Sequence, residues 1–262
     1  LLTFEHEEKG RVTGFDKVVM LAGGVGYANA EQALKHKPEP GDKVILLGGD
    51  NYRIGMGGGA VSSVDTGLYE NAIELNAVQR SNPEMQKRVC NVIRAMAESD
   101  VNPIVSIHDH GAGGHLNCLS ELVEDTGGKI YLDRLPVGDP TLSYKEIVGN
   151  ESQERMGLVL KEKDLDFMKR VAERERAPFY VIGETTGDDR FVFESEKTGL
   201  RPIELELKDM FGSSPKTVME DCRTEETYAG VAYTEDKLED YVKAVLSLES
   251  VASKDWLTNK AD

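Results

Sequence analysis

Three stretches of this chain carry residue types that could do chemistry. The first is Gly48-Gly49-Asp50-Asn51-Tyr52-Arg53-Ile54-Gly55-Met56-Gly57-Gly58-Gly59-Ala60. Glycines let backbone N–H groups approach a phosphate closely. No Gly-Lys-Ser/Thr follows, so it is not a Walker A loop, and it lacks the tight strand–turn–helix of a dinucleotide fingerprint. A close-packed structural loop and a ligand loop both fit. The second stretch is Ile107-His108-Asp109-His110-Gly111-Ala112-Gly113-Gly114-His115-Leu116. Asp109 falls at the end of an apolar run, and the glycines lead toward a helix. Free N–H groups at a helix start favour an anion, and an adjacent Asp can hold Mg2+. The competing reading is that Asp109 only caps the helix. The third is Asn150-Glu151-Ser152-Gln153-Glu154-Arg155, polar residues directly before an apolar strand. Glu, Ser and Gln there could bind a hydroxylated or amide ligand, or form a solvated turn.

Two other chemistries fit poorly. His108, His110, His115 and Cys118 have a spacing that matches no standard zinc site; their one favourable feature is that His108 and His110 would share a strand face. Cys90 and Cys118 fall on predicted helices at or near apolar faces. Cys222 lies in a charged loop. None resembles a nucleophile elbow.

The elements that must position these residues are legible from periodicity. Short apolar runs predict strands at Val18–Ala22, Lys43–Leu47, Ile104–Ile107, Lys129–Leu132, Met156–Leu160 and Pro178–Ile182. A turn at residues 185–189 leading to Arg190-Phe191-Val192-Phe193 is a hairpin signal. Strict alternation over residues 203–208 predicts a strand with one wet face. Helices are predicted from Pro83, with Met85, Val89, Val92, Ile93 and Met96 on one face, and after the second glycine stretch, with Leu116, Leu119, Leu122 and Val123. A third follows Asp164 as N-cap, and a fourth spans about 235–249. Interleaved strands and helices imply an α/β (α+β) fold, a layered mixed β-sheet with packed helices.

The chain has 262 residues, 31 Lys+Arg against 47 Asp+Glu, and a net charge of −16. With 39% hydrophobic residues it can bury a full core. The acidic balance argues against nucleic-acid binding. No apolar run is long enough to cross a membrane. Three cysteines are too few for a disulfide framework, which predicts a reducing, cytoplasmic setting. The start, Leu1-Leu2-Thr3-Phe4, has no initiator Met and no basic leader, and reads as a piece of a longer protein.

The ordered motifs together resemble the formylglycinamide ribonucleotide amidotransferases (phosphoribosylformylglycinamidine synthases) in their large single-chain form. The carriers are Met20-Leu21-Ala22-Gly23-Gly24-Val25-Gly26, Leu47-Gly48-Gly49 with residues 54–63, Val78-Gln79-Arg80-Ser81-Asn82-Pro83-Glu84-Met85, the Asp109 stretch, residues 150–155, and Arg174-Glu175-Arg176-Ala177-Pro178 with Val181-Ile182-Gly183-Glu184. The resemblance runs from about residue 17 to the end. It implies a ligase of purine biosynthesis that uses formylglycinamide ribonucleotide, ATP and glutamine-derived ammonia, and a fold similar to the C-terminal domain of aminoimidazole ribonucleotide synthetase. It implies Asp109 as a Mg2+ ligand, and Gln79, Glu151, Ser152 and Gln153 as substrate-binding residues. It places no catalytic residue here: the main ATP-binding domain and the glutaminase domain fall outside this chain, and are its expected partners. His115 replaces a usual Leu. The implied organisation is a remnant of an ATP-binding-type domain at 1–36, the synthetase-like domain at 37–215, and a linker with an amphipathic helix at 216–262. The alternatives are a stand-alone ATP-dependent enzyme of the same superfamily and a non-catalytic scaffold.

Overall fold

A computed structural model describes residues 5–14, 25–32, 34–57, 61, 70, 73, 76–79, 82–218, 220, 230, 232–248 and 251–253. The strand expected at Val18–Ala22, the tail of the first glycine stretch at 58–60, Arg80, Ser81 and Cys222 lie outside the described residues. The chain divides into two compact units, Leu1–Ser213 and Ser214–Asp262.

In the first unit, β1 (Glu5–Glu8) and β2 (Arg11–Gly14) form an antiparallel hairpin. A seven-stranded sheet follows: β3 (Lys43–Leu47), β4 (Ile104–Asp109), β5 (Gly128–Tyr131), β6 (Met156–Leu160), β7 (Phe179–Thr185), β8 (Arg190–Glu194) and β9 (Ile203–Glu206). Their order is β4-β6-β3-β7-β5-β8-β9, antiparallel except for the parallel pair β5–β8.

Central β3 is an unbroken apolar run because both its faces are covered. Val44 and Leu46 join one core with Cys118, Leu119 and Leu122 of α2 (Gly114–Leu122) and Ile147 and Val148 of α3 (Tyr144–Gly149). Ile45 and Leu47 face the other core, against Val89, Val92 and Met96 of α1 (Pro83–Ala97) and Met168, Val171 and Ala172 of α4 (Leu165–Glu175). Each fully buried leucine contributes about 1.5–3 kcal/mol of transfer free energy. Pro83 occupies the first turn of α1, and the Asn82 side chain accepts from the Met85 N–H. Cys90 lies on the exposed side of α1, away from the apolar stripe, whereas Cys118 is buried.

Two local expectations are corrected, and a third holds with a different local geometry. Residues 185–193 form a turn but not a hairpin. β5 lies between β7 and β8, and the turn spans two strand spacings, about 9.5 Å, which four residues reach easily. The turn is tied over β5 by Thr186 N to Gly127 O (3.1 Å). The 203–208 strand ends at Glu206, because Leu207 turns inward, is buried, donates its N–H to Asp189 O (2.9 Å) and opens α5 (Leu207–Phe211). Asp164 holds the N-cap position of α4 without a capping bond from its side chain, since a 3-10 turn over Glu162–Asp164 leads into the helix instead.

In the second unit, the Glu235–Lys237 turn opens α6 (Leu238–Ser247), where Lys243 and Glu239 pair at 2.8 Å. No helix among the described residues is long and apolar enough to cross a membrane.

Candidate functional site

The predicted site residues gather at one end of the sheet, where β3 and β4 finish and β6 and β7 begin. Leu47 pairs with Met156 and Phe179, and Asp109 pairs with Met156. The loop after β3 and the loop before β6 therefore emerge side by side.

Gly55 binds them together. Its N–H donates to Asn76 O (2.8 Å), and its carbonyl accepts from the Glu151 N–H (2.6 Å). Gln79 N then donates to Glu151 O (3.1 Å), and Gln153 N to Gln79 O (3.2 Å). Gln79 and Ser152 form a parallel β-bridge. At φ +84°, Gly55 lies in the left-handed region, and a Cβ there would overlap Glu151 O. The structure thus brings Gln79 together with Glu151, Ser152 and Gln153. Within that group Ser152 is fully buried, Glu151 nearly so, and Gln153 is exposed.

Gln79 reaches into a cleft of about 610 Å³, lined also by Asp50, Tyr52, Glu154 and Tyr180. Its Nε2 donates to Asp50 O (3.2 Å) and to Glu154 Oε1 (2.7 Å).

Asp109 ends β4 with its side chain 72% exposed and its Oδ1 3.6 Å from His108 Nδ1. It does not cap α2, whose N-cap is Gly113. The capping reading is excluded, and the carboxylate is open to solvent.

The histidines part company. His108 is half-buried and pairs with Glu121. His110 and His115 are buried and stack edge-on, with His110 Nε2 2.9 Å from His115 Nδ1. His115 Nε2 lies 3.2 Å from Asn51 Nδ2 and 3.3 Å from Arg155 Nη1. Burial holds both imidazoles well below the ordinary range, with the nearby Arg155 charge acting in the same direction. Among the described residues no cluster of three or more His, Cys, Asp or Glu suits a metal. Burial also pushes the Cys118 thiol up, so it is no nucleophile.

Residues 39–196 match the family described as AIR synthase related protein, C-terminal domain. The chain belongs to this family. It is 40% identical over 262 residues to the phosphoribosylformylglycinamidine synthase of Saccharomyces cerevisiae, covering 98% of this chain and 19% of that protein. The Homo sapiens synthase is 39% identical, covering 94% of this chain and 20% of that one. The chain thus spans about one fifth of those relatives. A solved structure, "T. maritima PurL complexed with FGAR", superposes with a TM-score of 0.65 at 24% identity, covering 75% of this chain and 32% of that one, and shares the fold.

The sequence reading assigned no role to Asp50, Asn51, Glu154 or Arg155 of this AIR synthase related domain. Arg155 is fully buried. Its Nη2 donates to Asn150 O (3.0 Å) and to Asn150 Oδ1, and the Asn150 amide donates to Tyr52 O (3.3 Å) and Ile54 O. Desolvation lowers the Arg155 guanidinium to about 10, partly offset by the Glu154 charge. The available signal was the run at 150–155: six polar residues entering a fully buried strand cannot all face water.

Proposed function

We propose that this chain is the substrate- and metal-binding portion of a phosphoribosylformylglycinamidine synthase, a cytoplasmic ligase of purine biosynthesis. The parent reaction converts formylglycinamide ribonucleotide, ATP and glutamine-derived ammonia to formylglycinamidine ribonucleotide. ATP phosphorylates the formamide oxygen, ammonia adds to that carbon, and phosphate leaves with the oxygen. In this reading Gln79, Glu151, Ser152 and Gln153 bind the ribonucleotide, which offers an amide and hydroxyls to hydrogen-bonding groups. The organisation proposed is a remnant of an ATP-binding-type domain at 1–36, the synthetase-like domain at 37–215 and a linker at 216–262. The remaining domains of the parent protein, which would bind ATP and supply ammonia from glutamine, are its partners.

Asp109 fits Mg2+, because Mg2+ with a nucleotide needs only one or two protein carboxylates, the phosphates and water supplying the rest. Its exposed carboxylate at the end of β4 would be such a ligand. The ion would offset phosphate charge there. The observation that carries the reading is the Gln79–Ser152 bridge, which joins two motifs 73 positions apart into one site in a chain of this identity to the synthases.

The test has two arms. In the full-length protein, Asp109→Ala is expected to lower kcat at least a hundredfold; unchanged activity would favour a scaffold. The isolated chain, assayed with formylglycinamide ribonucleotide, ATP and an ammonium salt, is expected to be inactive, and clear turnover would overturn the division of labour.

A further inference from the structure

The 610 Å³ cleft has a one-sided chemistry. Its polar wall includes Asp50, Gln79, Asn82 and Glu154, with Tyr52 and Tyr180, and no Lys or Arg lines it among the described residues. Gln79 is 7% exposed and Glu154 4%. The orientation of the Gln79 amide is fixed by chemistry. Both groups beside Nε2, the Asp50 carbonyl and the Glu154 carboxylate, are acceptors, so only the NH₂ can face them. That leaves Gln79 Oε1 as an acceptor with no protein partner, and Glu154 Oε2 is likewise unpaired. Buried acceptors without donors are unusual and point to something that supplies N–H or O–H.

We infer that Glu154 is a positioning residue: it locks the Gln79 amide so that the cleft accepts a neutral, donor-bearing group of the ligand and rejects its phosphate. Among the described residues the cleft offers two carboxylates and no Lys or Arg to pair an anion, and two unpaired acceptors select amide N–H or sugar hydroxyls. The donor-bearing end of the ribonucleotide therefore enters this cleft, with the phosphate held elsewhere. This rests on the proposed substrate, but the donor chemistry of the cleft is testable without it.

The experiment follows the Gln79 side-chain NH₂ resonances of the full 262-residue chain by NMR while three probes are titrated: N-formylglycinamide, inorganic phosphate and formylglycinamide ribonucleotide. N-formylglycinamide is expected to shift the Gln79 resonances and phosphate to leave them unmoved. Glu154→Gln, which offers its own NH₂ or O to Gln79 and releases the lock, is expected to weaken N-formylglycinamide about tenfold. Phosphate moving Gln79, no shift with the neutral amide, or full affinity in folded Glu154→Gln would each overturn the inference. If that variant does not fold, the two wild-type titrations still decide it. If the ribonucleotide binds while the neutral amide leaves Gln79 unmoved, the proposed function stands and this inference falls. If the neutral amide binds at Gln79 and the ribonucleotide does not, the reverse holds.

Discussion

Gly55→Ala should break the site at its narrowest point. The backbone there has φ +84°, where an L-residue is disfavoured by roughly 1–2 kcal/mol. The added Cβ would overlap Glu151 O and stand 2.9 Å from Asn150 Nδ2 and 3.2 Å from Gln79 N. Two of these neighbours are backbone atoms held in the Gly55–Glu151–Gln79 hydrogen bonds. Overpacking of this kind costs about 1–3 kcal/mol. Loss of one of those bonds adds about 1 kcal/mol. The expected destabilisation is therefore roughly 3–6 kcal/mol, read by urea denaturation of the chain. Gly41→Ala is the matched control. Gly41 has φ +94° and nothing within 4 Å of its would-be Cβ, so it should show only the backbone part, about 1–2 kcal/mol. In the full-length protein, Gly55→Ala should also raise KM for the ribonucleotide, because Gln79 and Ser152 separate. Equal destabilisation at positions 41 and 55 would refute the steric reasoning, and an unchanged KM would refute the placement of the ligand.

Arg155→Lys should be far from conservative. A lysine cannot span Asn150 and His115 as the guanidinium does, and the loss is expected to be about 2–4 kcal/mol in a urea melt; a change under about 0.5 kcal/mol would contradict it. Stability should also fall on mild acidification. His110 and His115 are held neutral below their ordinary value of 6.5, so the unfolded chain binds protons first, and stability is complete above pH 6.5 and declines below it. Each adds a slope of up to about 1.4 kcal/mol per pH unit between pH 6.5 and 5, above the range where most carboxylates titrate. Denaturation midpoints across that window should fall, and His115→Leu should shallow the slope; a flat profile would count against buried neutral histidines.

The sheet was legible wherever burial alone decided structure. The Lys43-Val44-Ile45-Leu46-Leu47 run could only be a strand covered on both sides, and Met156–Leu160 was read to the residue. Partner choice was not legible. The turn at 185–189 signals a reversal, but nothing local says that residues from sixty positions earlier occupy the space between β7 and β8. The same limit governed the site. Asp109, Gln79 and the 151–153 triplet carry recognisable patterns, whereas Glu154 and Arg155 read as ordinary loop charges. Their roles come from burial, and burial here is set by α2 and the loop after β3, far away in sequence.

Those buried polar groups explain how a loop-built site keeps its geometry. From α2, His115 meets Arg155, which grips both oxygens of Asn150. Asn150 in turn holds the carbonyls of Tyr52 and Ile54, placing Gly55 against Glu151. From there the bridge reaches Gln79, and Glu154 fixes the amide that faces the cleft. Apart from Arg155–Asn150, five positions apart in one loop, each link is a hydrogen bond between segments distant in sequence, so these are lost if the sheet end opens. Replacing this network by apolar side chains would remove a desolvation penalty, yet it would also free both loops to slide. A polar network that is more demanding than an apolar core holds the Gln79 oxygen in one position, and a substrate with fixed donors needs that position held before it arrives.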